Sequence, residues 1–243
     1  MSDPQPEREP SQPPHRPAHP PALNVPTIVL LFGAAFVLVH LYATYALDPR
    51  GQIDLLERFA FVPGFMDAAA DLLRYPNARW WSPLTYGFLH GDWTHLLVNS
   101  VWLLAFGTPV AKRFGAGRFV VFTLLAFVAG AAAHYVMHRG ELVPVVGASG
   151  AVSAYFGAAA RFALLPGRLG SDAALMRPAL SLVQTLTTRS TLIFIVIWLA
   201  INWVAGSGVV PMGQGEAQIA WEAHVGGFLL GLLAFRFFDP LPR

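Results

Sequence analysis

Blocks of about 20 consecutive, mostly apolar residues constrain the fold of this chain more than any other feature. A helix of that length crosses the hydrocarbon core of a bilayer, where every backbone polar group has to be hydrogen-bonded within the protein. The composition agrees, since 55% of the 243 residues are hydrophobic, 12% are charged and the mean hydropathy is +0.50. We therefore predict an all-α polytopic membrane protein rather than a soluble domain.

The apolar blocks predict six membrane-spanning helices in one membrane domain, residues 26–243. The predicted spans are approximately Pro26 to Leu47, Trp93 to Lys112-Arg113, Arg118 to Met137, Ser149 to Leu165, Thr191 to Ala205 and Ile219 to Phe238. Between the first two lies a long first external loop, whose aromatic pieces indicate either short amphipathic helices in the interface or a folded loop with an aromatic belt. Residues 1–25 are polar and proline-dense, which is typical of a disordered tail.

The distribution of basic residues predicts the orientation. With the N-terminus inside, eleven of the 16 Lys and Arg residues fall in inside segments and five in outside segments. The positive-inside rule then places both termini in the cytoplasm of a multi-pass protein of the cell (inner) membrane. The net charge of +2 and the lack of a basic cluster argue against a nucleic-acid partner. The absence of cysteine excludes disulfides, thiolate metal sites and a cysteine nucleophile.

Polar residues inside predicted spans indicate a shared site, because polar groups in hydrocarbon are costly. His95 and Asn99 lie four residues apart and so share one helical face. His224 in the last span has Gly227 and Gly231 on its face, which would allow another helix to approach closely. Interhelical hydrogen bonding, worth about 0.6–2 kcal/mol, remains the alternative for the first pair.

Ser149 stands in the run Gly147-Ala148-Ser149-Gly150, where a helix is predicted to begin. Its hydroxyl and the first free N–H groups would lie at the positive end of the helix dipole, which stabilises an oxyanion. A serine at that position is equally suited to be an ordinary helix cap. A serine, a distant histidine and hydrogen-bond donors are together the groups that acyl transfer requires.

Other intramembrane chemistries lack their motifs. There is no His-Glu-x-x-His motif, and no aspartate lies inside a predicted span, which argues against a zinc hydrolase and an aspartyl pair. His134 and His138 have the i, i+4 spacing of metal ligands, but no carboxylate or thiolate joins them within that span. We interpret them as interfacial, with a metal site as the alternative, and expect neither cofactor nor metal in the reaction.

Three motifs in this order resemble those of the rhomboid family of intramembrane serine proteases, over roughly residues 81 to 238. They are His90-x4-His95-x3-Asn99, Gly-Ala-Ser149-Gly and Ala-His224-x-x-Gly227-x-x-x-Gly231. The resemblance implies a dyad, with Ser149 as nucleophile and His224 as general base and then general acid. It implies an oxyanion hole of His95, Asn99 and the Ser149 N–H. Supporting roles are implied for His90, Gly147, Gly150, Gly227 and Gly231.

Two positions depart from the family pattern. Some members carry a tyrosine four residues after the serine that stacks on the catalytic histidine, whereas this chain has Ser153, so another group has to orient the base. Tyr155 and Phe156 are the candidates, although neither shares that face, and Glu222 is not expected to be a third triad member. The first loop often carries Trp-Arg, whereas here Ser82 follows the tryptophan.

These features favour a serine endopeptidase that cleaves single-span or multi-span membrane proteins in the bilayer. The family resemblance also implicates the fifth span, around residues 198–203, as a lateral gate. One alternative is a catalytically silent relative that binds or escorts membrane clients. A small transporter or channel is a second alternative, and it predicts polar positions along the whole depth of the bundle.

Overall fold

The computed structural model describes residues 24–168, 171–207 and 220–241. Within these ranges the chain forms helices and turns, and its one isolated β-bridge joins Phe61 to Val145. The all-α prediction is therefore confirmed for this part of the chain. The predicted disordered tail lies outside the described residues, apart from residues 24 and 25.

Twelve α-helices are assigned within the described ranges. In chain order they are α1 Thr27–Tyr45, α2 Pro49–Phe59, α3 Pro63–Asp67, α4 Ser82–Thr85, α5 Trp93–Trp102, α6 Thr108–Phe114, α7 Ala116–Met137, α8 Ser149–Ala160, α9 Asp172–Leu175, α10 Leu182–Thr187, α11 Arg189–Gly206 and α12 Trp221–Phe238. A π-helical stretch, Leu103–Gly107, joins α5 to α6, so that Trp93–Phe114 runs as one helix of 22 residues.

Four of these helices are long and apolar enough to cross a membrane by length and composition. They are Thr27–Tyr45, Trp93–Phe114, Ala116–Met137 and Arg189–Gly206. They match the predicted first, second, third and fifth spans to within a few residues. The predicted sixth span corresponds to α12, which has 18 residues and begins at Trp221, and its expected start at Ile219 lies outside the described residues.

The predicted fourth span is shorter than expected. Its helix, α8, ends at Ala160 after 12 residues instead of continuing to Leu165. The guanidinium of Arg161 donates to the carbonyl oxygens of Leu180 and Leu232 at 2.7 to 3.1 Å, and the chain turns there. The apolar run continues past this point, but the helix does not.

The core is built around α8, which is buried along its length and packs between α7 and α12. The helices touch through glycine, because a Cβ on Gly227 would overlap the carbonyl oxygen of Gly150, and one on Gly231 would overlap that of Ala154. Small residues of this kind let helices associate in a membrane through close van der Waals contact. The glycine face predicted on α12 therefore packs directly against α8.

One end of the bundle is held by a buried ion pair. The guanidinium of Arg113 lies 2.8 Å from the Asp239 carboxylate and donates to the carbonyls of Leu175 and Arg177 at 2.6 and 2.9 Å. The end of α6, the segment after α8 and the end of α12 therefore meet at one pole.

The opposite pole is covered by the segment between α1 and α5, which folds into the short helices α2 to α4 and three 3₁₀ turns. This segment therefore contains short helices, and its placement in the membrane interface stays a prediction. Phe61 and Val145 exchange two backbone hydrogen bonds of 3.2 and 2.9 Å, which tie this segment to the loop that leads into α8.

Candidate active site

Ser149 lies where a constrained loop enters α8. Gly147 has φ of +109°, a conformation that L side chains rarely adopt, and a Cβ there would lie 2.5 Å from Nε2 of His95. The Gly147 N–H donates to the carbonyl of Tyr86 at 3.0 Å. Glycine is thus required both by the backbone conformation and by the close approach of the histidine ring. The loop brings the serine to the first residue of α8, beside free backbone N–H groups.

Ser149 lies inside the helical bundle, at some depth from the end at which α7 finishes. Gly130 of α7 is opposite Gly150, since a Cβ on it would lie 3.6 Å from the Gly150 Cα. From residue 130, α7 continues to Met137, a rise of about 10 Å. The 12 residues of α8 span only about 18 Å, well short of a hydrocarbon core of about 30 Å. The serine is therefore recessed among the helices.

The imidazole of His224 is held by a residue that the sequence analysis did not identify. Nδ1 of His224 lies 2.5 Å from Oδ1 of Asn202 on α11. Asn202 donates its Nδ2 to the carbonyl of Trp198 at 2.8 Å, which turns the amide oxygen toward the histidine. An amide oxygen only accepts, so Nδ1 of His224 carries the proton and Nε2 keeps its lone pair. That is the tautomer a general base needs.

Asn202 could have been found from the sequence. It interrupts the apolar run of α11, and a polar residue in a membrane span is a functional candidate by default. The glycine contact between α8 and α12 lies one helical turn from His224 on its own helix. Among the described residues no hydrogen bond joins Ser149 to His224; apo sites of this kind often hold the pair loosely.

Neither aromatic residue expected to orient the base contacts it. The Tyr155 hydroxyl is 2.7 Å from Thr123 Oγ1, and its ring stacks on Phe119 at 5.0 Å, on the side of α7. Phe156 stacks on Trp198 at 5.6 Å. Both expectations were wrong, because the amide of Asn202 on α11 contacts the imidazole instead. The helical face of a residue does not show which side chain from another helix will contact it. Ser153 is buried in α8.

Glu222 turns away from His224, as expected for a residue that is not a third triad member. Its carboxylate lies 2.6 Å from Nδ1 of His134 and 3.4 Å from Nε2 of His138. His134 is 1% exposed, so it is buried within the protein, and its position at the membrane interface stays a prediction. The carboxylate comes from another helix, 88 residues away in sequence.

His95 and Asn99 lie on one face of α5. The Gly91 N–H points at Nδ1 of His95 at 3.5 Å, the limit of a hydrogen bond, which leaves Nε2–H directed toward Gly147. Asn99 is buried and donates to the carbonyl of His95 at 2.9 Å, while its amide keeps a second N–H. His95 therefore donates toward the loop before the serine, and Asn99 keeps a free donor on the same face of α5.

His90 packs against His95. Its ring packs edge-on against that of His95, with centroids 5.2 Å apart, and its carbonyl accepts from His40 Nδ1 at 3.2 Å. Burial lowers the pKa of His90, and the neighbouring His95 adds to this effect. The ring is therefore neutral near pH 7 and packs without bringing a charge into the site.

The arrangement has the features that nucleophilic acyl transfer requires. A serine stands at a helix N-terminus, the histidine on the adjoining helix has its tautomer set, and donors lie along the facing helix. Such a site can activate a hydroxyl and stabilise an oxyanion.

Comparison with known proteins adds a family match. The model of the Rhomboid domain matches residues 77–238 of this chain. Rhomboid protease GlpG of Enterobacter sp. (strain 638) is 29% identical over 162 residues, which cover 66% of this chain and 49% of that protein.

Two other relatives show similar identity. Rhomboid protease GluP of Bacillus subtilis (strain 168) is 29% identical over 158 residues, 65% of this chain and 26% of the relative. GlpG of Salmonella paratyphi A is 28% identical over 162 residues, 66% of this chain and 49% of the relative. The matched region thus spans about half the length of the GlpG relatives and a quarter of GluP.

Proposed function

Because this chain belongs to the rhomboid family, we propose that it is an intramembrane serine endopeptidase with Ser149 as nucleophile and His224 as general base. The observation that carries the proposal is the Asn202–His224 hydrogen bond of 2.5 Å, which leaves Nε2 of His224 free to accept a proton. The glycine contact between α8 and α12 supports it, since a serine–histidine hydrogen bond requires nearly touching backbones.

The reaction follows from these roles. Nε2 of His224 takes the proton of Ser149 Oγ as Oγ bonds to the carbonyl carbon of the scissile amide. The oxygen that becomes negative accepts hydrogen bonds from His95 Nε2–H, Asn99 Nδ2–H and the Ser149 N–H. The imidazolium then protonates the leaving amine as the C–N bond breaks. Water, deprotonated by the same histidine, then attacks the acyl carbon; the Oγ–acyl bond breaks and the imidazolium returns the proton to Ser149 Oγ, which gives the acid and the free serine.

The proposed substrates are single-span or multi-span membrane proteins in the lipid bilayer. A membrane helix hides its scissile amide in hydrogen bonds, so the substrate has to unwind locally before attack. Small or helix-breaking residues near the cut are therefore expected. We propose entry beside α11, whose buried residues are only Thr191 and Ile195 and whose side chains contact the bundle at Trp198 and Asn202.

We also propose that the protein lies in the cell (inner) membrane, with six spans and both termini in the cytoplasm. The pole built on Arg113 supports this orientation, because it also contains Lys112, Arg161 and Arg177. Basic residues at one pole are typical of the cytoplasmic side. Ser149 then opens toward the external half of the membrane.

The test compares cleavage of a transmembrane reporter by wild type, Ser149→Ala and His224→Ala, expressed in the same membrane. We expect cleavage by the wild type alone, together with labelling of Ser149 by a fluorophosphonate probe. Ser153→Ala, four residues along the same helix, is the matched control and should cut normally. Cleavage by Ser149→Ala would contradict the proposal. A folded wild type that neither cuts nor labels would instead favour the silent, client-binding alternative.

A further inference from the structure

A second polar cluster lies near the active site but shares no residue with it. His134 near the end of α7, His138 just after that helix and Glu222 in the first turn of α12 bring three ligand atoms within 4.8 Å of one another. The side chains of His134 and Glu222 are 1% and 7% exposed, whereas that of His138 is 30% exposed. The cluster is therefore buried on two sides and open to solvent on the third.

In each imidazole ring, the nitrogen that points away from Glu222 faces a hydrogen-bond acceptor. Nε2 of His134 lies 3.0 Å from the carbonyl oxygen of Val143, and Nδ1 of His138 lies 2.7 Å from a carboxylate oxygen of Glu141. Both oxygens only accept, so these two nitrogens carry protons. The inner nitrogens, Nδ1 of His134 and Nε2 of His138, both face Glu222.

This is the arrangement of a histidine metal site. A histidine ligand characteristically donates its other N–H to a carbonyl or a carboxylate, which sets the tautomer and orients the lone pair toward the ion. Without a cation, His134 would need a second proton to donate to the carboxylate at 2.6 Å, and the inner nitrogen of His138 would make no hydrogen bond to it. A divalent ion at the centre satisfies all three groups at once.

We propose that His134 Nδ1, His138 Nε2 and a Glu222 carboxylate oxygen bind a divalent transition-metal ion, with zinc as the best fit and a fourth position open to solvent. Two imidazoles and a carboxylate suit zinc, whereas magnesium and calcium prefer oxygen ligands alone. His134 lies in the last turn of α7 and His138 is the residue that ends this helix, and their ring nitrogens come within 4.8 Å of each other. This metal site is separate from the proposed active site at Ser149, and metal binding does not depend on catalysis there.

The two histidine–glutamate distances are close to those of a zinc site, and the two histidine nitrogens lie within 4.8 Å of each other. Zinc bonds of about 2.0–2.1 Å in tetrahedral geometry separate ligand atoms by about 3.3 Å. The distance of 3.4 Å between His138 Nε2 and Glu222 Oε1 already meets this requirement. The distance of 2.6 Å between His134 Nδ1 and Glu222 Oε1 has to open by about 0.7 Å, which a rotation of the glutamate side chain can supply.

The ion would connect three parts of the molecule. It would join the end of α7 to the start of α12, two residues before His224. Through Val143 and Glu141 it would also bear on the loop that leads to Ser149. We therefore expect zinc to stabilise the fold and to reduce motion at this pole.

The test measures zinc binding to the full-length protein. The protein is purified in detergent without a histidine tag, and bound metal is first removed by chelation. Titration against a chromophoric zinc chelator, with metal content by mass spectrometry, should give one zinc per chain and a rise in melting temperature. His138→Asn should lower zinc affinity at least 100-fold, and Glu141→Gln should lower it about 10- to 100-fold, as for other outer partners of metal ligands.

The matched control uses a second histidine pair with the same spacing, His15 and His19 in the N-terminal segment. The double variant His15→Asn/His19→Asn should bind zinc as the wild type does. Loss of zinc in this control but not in His138→Asn would overturn the proposal, as would a wild type that binds no zinc.

A spectroscopic measurement covers the case in which His138→Asn fails to fold. Cobalt(II) in the wild-type site should give the intense visible absorption of a four- or five-coordinate ion, and Glu222→Gln should lose it. Weak octahedral absorption in the wild type, or an unchanged spectrum in Glu222→Gln, would overturn the proposal.

Discussion

Replacing Asn202 tests whether α11 orients His224, the proposed base. In the transition state of the proposed reaction His224 is an imidazolium, so its hydrogen bond to the Asn202 oxygen becomes charge-assisted. Hydrogen bonds to charged groups contribute about 1.5–3 kcal/mol, against about 0.5–1.5 kcal/mol for neutral pairs. Only the difference, about 1–1.5 kcal/mol, raises kcat. At about 1.4 kcal/mol per factor of ten, Asn202→Leu should reduce kcat about tenfold.

The assay is cleavage of a transmembrane reporter by purified protein in liposomes, with kcat and KM determined separately across pH. Asn202→Leu should lower kcat with little change in KM, because the tautomer is lost but the entry route is kept. Asn202→Asp keeps an acceptor, so it should retain more activity than Asn202→Leu. It should also move the acid limb of the pH–rate profile to higher pH, because a carboxylate favours the imidazolium.

Ile201→Ala is the matched control, since this neighbouring side chain on α11 is 61% exposed. It should leave kcat near the wild-type value. A wild-type kcat in Asn202→Leu, or an equal fall in Ile201→Ala, would refute the assigned role of Asn202. A change in KM alone would indicate that α11 acts on substrate entry instead.

Three further predictions concern stability, measured as thermal unfolding in detergent. Gly227→Ala places a Cβ on a carbonyl oxygen of α8 and should destabilise the protein by at least about 1–3 kcal/mol. Gly117→Ala, whose Cβ would meet no atom within 4 Å, should have no such cost, and equal losses in the two variants would contradict the packing argument. Arg113→Ala leaves the buried Asp239 carboxylate unpaired and should cost about 3–5 kcal/mol. Lys112→Ala, which loses a pair with an exposed aspartate, should cost less than about 1 kcal/mol. Burial lowers the pKa of His90 in the folded state below its unfolded value of about 6.5. The stability linked to this neutral ring is therefore complete above about pH 6.5 and is lost as the pH falls below it. The melting temperature should drop less between about pH 7.5 and pH 5 in His90→Gln than in the wild type, and parallel drops would exclude His90 as the source.

Local patterns predicted the helices well where length and composition decide the structure. The bounds of α1, α7 and α11 agree with the predicted spans to within about two residues. The pattern failed at α8, where the apolar run continues to Leu165 but the helix ends at Ala160, next to an arginine whose side chain donates to the carbonyl of Leu232. Hydropathy does not register a hydrogen bond to a distant carbonyl.

Pairs across helices were harder to predict than positions along one helix. The shared face of His95 and Asn99 follows from helical spacing alone. The sequence marks Asn202 as a polar residue in an apolar span, but it does not show that its partner is His224 on another helix. Glu222 was recognised as separate from the dyad, but its contact with His134 was not foreseen.

The sequence by itself determined an all-α membrane fold, the positions of most helices and the motifs shared with the rhomboid family, because these depend on periodicity and on residue types at short spacing. The tertiary structure alone decided that the glycines of α8 and α12 meet and that Asn202 turns toward His224. It also decided that Glu222 joins His134 and His138. These contacts depend on how closely the helices approach and at what rotation, which is set by packing over the whole bundle rather than by any local segment.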